Sequence, residues 1–110
     1  MEIIEEMQND IIIYRLNGQL DRNTSQKFEQ KLFQAISVGS KNMVIDFKDL
    51  DYISSAGIRV ILKATKDIKL KDGRIMLCSM QDYVKEVFEV SGVAPLLPIV
   101  ATMDDALKSF

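Results

Sequence analysis

From about residue 23 onward the apolar residues switch repeatedly between two spacings, and this alternation limits the fold more than any other feature. Phe28, Leu32, Ala35 and Ile36 fall on one helical stripe, while Lys27, Glu29, Gln30 and Lys31 fill the opposite face. A helix is therefore expected over 23–38, with Gly39 placed to end it. Met43-Val44-Ile45-Asp46-Phe47 is a short β-branched run that suits a strand buried on both faces. Ile58, Ile61, Leu62 and Thr65 then return to the helical period from Gly57, and this helix ends near Lys71-Asp72-Gly73. Residues 74–79 read as another strand, and 82–90 as a third helix with Val84, Val87 and Phe88 inward. Ile99-Val100, flanked by Pro95 and Pro98, is a short last strand, and Thr102 or Asp104 can cap a terminal helix through Ala106 and Leu107.

Ahead of this series, Ile3-Ile4 and the run Ile11–Leu16 are separated by Gln8-Asn9-Asp10, where Asn and Asp favour a tight turn, so the chain opens with a hairpin. The order is ββαβαβαβα. Right-handed crossovers return each later strand to the same direction, giving an α/β fold with a mixed, mostly parallel sheet. The 110 residues, 47% of them hydrophobic, suffice for one core, so residues 1–110 are read as one domain.

Composition removes whole classes of chemistry. Histidine is absent, so Ser-His-Asp and Cys-His catalysis are unavailable within the chain. The single cysteine, Cys78, lies in an apolar run and is expected as a buried thiol in a reducing compartment. The 14 basic and 16 acidic residues are interspersed, without the basic stripe that a phosphate backbone demands, so no nucleic-acid partner is expected. The N-terminal run Met1–Met7 carries acid where a secretory segment carries base, and no apolar run approaches a membrane span. A cytoplasmic protein without membrane association is expected. Alternation along a strand would separate Asp46, Asp49 and Asp51, so neither a metal nor another cofactor is expected.

The chemistry-bearing segment is 44–62, which couples a strand, a polar loop and a helix start. Ser54 and Ser55, followed by the small Ala56 and Gly57, sit where helix amides are unpaired and the helix dipole is positive. Either serine can serve as the helix N-cap; either can present its hydroxyl as a modification site. The missing side chain of Gly57 would let another molecule approach.

Tyr52-Ile53-Ser54-Ser55-Ala56-Gly57-Ile58-Arg59-Val60-Ile61-Leu62 resembles the signature loop and helix of the STAS domain, the family of bacterial anti-sigma factor antagonists. Gly18-Gln19-Leu20-Asp21 is similar to the family's G-x-L-D turn, Val44-Ile45-Asp46-Phe47 to its central strand, and residues 87–93 to its later helix end. The resemblance spans nearly the whole chain and implies a STAS-like fold. It further implies a partner-switching protein that, unphosphorylated, binds an anti-sigma factor which is also a serine kinase, releasing the sigma factor. Phosphorylation ends the binding, and a serine phosphatase would act on the modified form. The family's modified serine corresponds to Ser55, and Ser54 stands where members commonly carry Asp. Asp21 resembles a position that neighbours the phosphorylation site and supports contact with the kinase; as a residue it can equally cap the first helix. With Ser54, Ser55, Ala56 and Gly57, it makes up the expected partner face. Arg59 is added as a contact for an acidic partner, although Arg59 and Lys63 can also serve only to solubilise their helix.

Two other readings stay open at this level. One is a constitutive interaction module whose serine loop is never modified. The other is a flavodoxin-like enzyme or phosphoacceptor, against which stand the missing acidic pair after the first strand and the missing G-x-G-x-x-G and G-x-x-x-x-G-K-[ST] loops. In the switch, base and metal come from the kinase, and this chain is its substrate, not an enzyme.

Overall fold

A computed structural model describes residues 1–110. The strands are β1 (Glu2–Gln8), β2 (Ile11–Leu20), β3 (Asn42–Ile53), β4 (Arg74–Cys78) and β5 (Ile99–Val100); the helices are α1 (Arg22–Ser37), α2 (Ser55–Leu70), α3 (Asp82–Val90) and α4 (Met103–Leu107). They form one sheet in the order β1-β2-β3-β4-β5, antiparallel between β1 and β2 and parallel thereafter. This is the expected ββαβαβαβα arrangement. Because the parallel strands are added in one direction, right-handed crossovers put every connecting helix on the same side. Accordingly Phe28 and Leu32 of α1, Ile61 and Ile68 of α2, and Val84 and Phe88 of α3 join Tyr14, Ile45, Phe47 and Leu77 in one core. The other side is covered by α4, where Ala106 meets Ile13, Val44, Met76 and Cys78. Met43, Ile45 and Phe47 thus face one layer and Val44 the other, as a central strand requires.

β2 and β3 run further than the apolar pattern foretells. β2 continues past Leu16 to Leu20, and β3 past Phe47 to Ile53, through residues read as a polar loop. Their pairing persists because irregularities between Arg15 and Asn17 and between Gly18 and Gln19 reset the register, with Gly18 at φ 112°. Leu20, Leu50 and Ile53 stay buried while Asn17, Asp49, Asp51 and Tyr52 face solvent. The shifted register hides the period-two signal. A 3-10 turn, Ala94–Leu96, precedes β5 and was not foreseen. No helix is long and apolar enough to cross a membrane.

On the α4 side, Asp46 is buried yet accounted for. Its Oδ2 accepts from Arg15 Nη1 at 2.7 Å and its Oδ1 from the Lys48 N–H at 3.0 Å, while Arg15 also pairs with Glu6. A buried carboxylate with ionic and backbone donors satisfied is a structural element of the sheet. Cys78 is buried nearby, and burial pushes its thiol up to about 11.

Candidate functional site

The extended pairing of β2 with β3 brings the G-x-L-D turn beside the serine loop. Leu20 and Ile53 are register partners, and the Ser54 N–H donates to the Leu20 carbonyl at 2.9 Å. Immediately past this point both chains turn into helices, α1 after Asp21 and α2 after Ser54. Two helix N-termini therefore stand side by side at the carboxyl end of the parallel strands, the end where open α/β sheets carry their sites.

Each terminus is closed by one side chain. Asp21 Oδ1 accepts from the N–H groups of Asn23 and Thr24, both at 2.9 Å, and Thr24 Oγ1 accepts from the Asp21 N–H at 2.9 Å, completing a capping box. The Thr24 N–H bond, followed by the Thr24 hydroxyl and the Asn23 N–H, holds the Asp21 carboxyl below its usual pKa. Asp21 is thus the cap of α1 and still half-open to solvent at the site. At α2 the cap is Ser54, whose Oγ accepts from the Gly57 N–H at 3.3 Å. That fixes which of the two serines caps the helix. Ser54 takes the structural position, and Ser55, the first residue of α2, is exposed with its hydroxyl in no protein hydrogen bond. Ser54 fills the cap position that an Asp there would also fill, without bringing a negative charge beside Ser55.

The remaining expected residues divide. Ala56 is half-buried and Arg59 exposed. Gly57 is buried, and a Cβ there would lie 2.9 Å from Ile53 Cγ1 and 2.9 Å from Leu20 Cγ. The close approach that Gly57 permits is therefore internal: it seats the first turn of α2 against the ends of β2 and β3, and does not open a path for another molecule. Lys63 is exposed but engaged with the neighbouring helix, its Nζ 3.1 Å from Glu29 Oε2 of α1 and 5.0 Å from the Phe33 ring centroid. Tyr52, register partner of Gln19 and partly exposed beside the loop, joins the site without having been singled out. An aromatic residue two positions before Ser54 was the available signal.

A mixed five-stranded sheet, with three helices on one side and two capped helix starts bracketing a free serine, defines a small α/β module of the STAS type. The STAS domain family pattern matches residues 2–106, and the chain belongs to that family. BtrV of Bordetella bronchiseptica is 31% identical over all of this chain and 95% of its own length. The anti-sigma F factor antagonist of Paenibacillus polymyxa is 30% identical, covering 97% of this chain and 92% of its own. Among solved structures, a Thermotoga maritima protein superposes with a TM-score of 0.92 at 20% identity, over 97% of this chain and 92% of that one. The anti-sigma factor antagonist SpoIIAA in its unphosphorylated form gives 0.77 at 22% identity, over 98% and 96%.

Proposed function

We propose that this chain is an anti-sigma factor antagonist that works by phosphorylation-controlled partner switching. Unphosphorylated, it binds an anti-sigma factor that is also a serine kinase and so frees the sigma factor. Phosphorylation of Ser55 ends that binding, and a serine phosphatase restores it. The chain is the kinase's substrate and carries no catalytic residues of its own, in a cytoplasmic setting. The observation that supports this most is the division of labour between the serines: Ser54 is used by the fold and Ser55 is free. Phosphate on the first residue of α2 would meet the positive helix end and add about −1.5 to −2 charge to the face formed with Asp21. Binding would thus be cancelled by charge and bulk at the interface, without unfolding the module. Relatives named as anti-sigma factor antagonists support the same reading.

The test measures affinity between this chain and the anti-sigma kinase of its own host by titration calorimetry. Wild type and Ser55→Ala should bind alike, and Ser55→Asp should bind at least about tenfold more weakly. Equal binding by all three would leave a constitutive interaction module instead.

A further inference from the structure

Between α2 and residues 94–98 runs a groove in two adjoining stretches of about 590 and 570 Å³, which share Thr65, Lys69, Leu96 and Leu97. Its ionisable lining is entirely basic: Arg59, Lys63, Lys66, Lys69 and Arg74, with no carboxylate among them, in a chain whose net charge is −2. Two of these are committed elsewhere. Lys63 pairs with Glu29, and Arg74 donates to the Ser109 carbonyl. Arg59, Lys66 and Lys69 have no acidic partner. They stand at i, i+7 and i+10 on α2, so they form a row about 15 Å long on one side of the helix. Leu62 and Leu97 line the groove beside this row, and Leu96, 70% exposed on the 3-10 turn, makes an apolar lip. Thr65, which lines both stretches, has its hydroxyl buried without a hydrogen-bond partner.

The length of the cationic row decides among occupants. A single anionic head group reaches one or two of these side chains. A row of three over 15 Å, beside leucines, complements carboxylates repeated at helical spacing next to an apolar stripe. We propose that this groove docks an acidic amphipathic helix of a protein partner, lying along α2 with its leucine-type face on Leu62, Leu96 and Leu97. The surface extends from Arg59 away from Ser55, with Lys66 and Lys69 three or more turns along α2. It needs no modification of Ser55, so it stands or falls separately from the switch.

The probe is a capped, fluorescein-labelled 15-residue peptide with Glu at i, i+3, i+7 and i+10, leucines on the adjoining stripe and alanine elsewhere. A shuffled peptide of identical composition, whose acidic and apolar residues share no face, is the control. Fluorescence polarisation should show the ordered peptide binding about tenfold or more tightly than the shuffled one, weakening as salt rises. The double variant Lys66→Glu/Lys69→Glu, and separately Leu96→Asp, should each lose about tenfold, with amide chemical-shift changes confined to α2 and residues 94–98. Unchanged circular dichroism and urea midpoints in these exposed-site variants separate lost binding from lost fold. Equal binding of both peptides, or full binding by the double variant, would overturn the proposal. So would displacement of the ordered peptide from the groove by decanoate at equal concentration, which would assign it to a small amphiphilic anion.

Discussion

The two adjacent serines should respond differently to the same substitution. Ser54→Ala removes the acceptor of the Gly57 N–H, a 3.3 Å bond at the start of a 16-residue helix. Cap losses cost about 0.5 to 2 kcal/mol, and a bond this long belongs in the lower half, about 0.5 to 1 kcal/mol. For 110 residues, an unfolding entropy of about 2.1 cal/mol/K per residue gives about 0.23 kcal/mol/K, so each kcal/mol moves Tm by about 4 °C. Ser54→Ala should therefore lower Tm by about 2 to 4 °C. Ser55→Ala removes an exposed hydroxyl with no protein partner, an effect within about 0.5 kcal/mol, or 2 °C. Differential scanning calorimetry of both variants, with urea midpoints alongside, reads the difference directly. A loss in Ser55→Ala equal to or larger than that in Ser54→Ala would refute the assignment of cap and free hydroxyl.

Other parts of the fold make separate demands. Gly57→Val places carbon where Leu20 and Ile53 already stand at 2.9 Å, and overpacking of this kind costs about 1 to 3 kcal/mol; the urea midpoint should fall with an unchanged slope, and an unchanged midpoint would contradict the packing described. Asp21 has a folded-state pKa lowered by the Thr24 and Asn23 bonds, so its stabilising effect is fully present above its unfolded pKa and lost as pH falls through the lowered folded value. The Tm advantage of wild type over Asp21→Asn should thus be constant near neutrality and shrink in acid; an advantage that grows in acid would reverse the sign. Cys78, fully buried and with its thiol pushed up to about 11 by that burial, should react with a disulfide reagent at least about tenfold more slowly in the native state than in denaturant. Comparable rates would show the thiol to be open.

What the sequence disclosed and what it hid have the same physical origin. Periodicity was plain wherever an element has one dry side: Phe28, Leu32 and Ile36 on α1, Ile61 and Ile68 on α2, Val84 and Phe88 on α3. It fails at the far ends of β2 and β3, where an irregular register and exposed Asp49, Asp51 and Tyr52 break the alternation, so the apolar pattern stops short of the strands' ends. The site depends on those same ends, since Leu20 and Ile53 are what place Asp21 next to Ser54. Motif resemblance located the loop; only hydrogen-bond geometry could tell which serine caps α2. The inward role of Gly57 and the pairing of Lys63 with Glu29 are contacts between distant segments, and local spacing carries no trace of them. The groove along α2 likewise arises from the fold bringing residues 94–98 against it.

Ser55 is proposed as the residue at which a kinase controls partner binding. The most direct measurement is site-mapped mass spectrometry of the wild-type chain after incubation with host extract, Mg²⁺ and ATP, with Ser55→Ala and Ser54→Ala run beside it. Phosphate is expected on Ser55 in wild type and in Ser54→Ala, and none in Ser55→Ala. Phosphate on Ser54, or a wild-type chain that binds an anti-sigma factor from that extract and stays unmodified, would contradict this assignment.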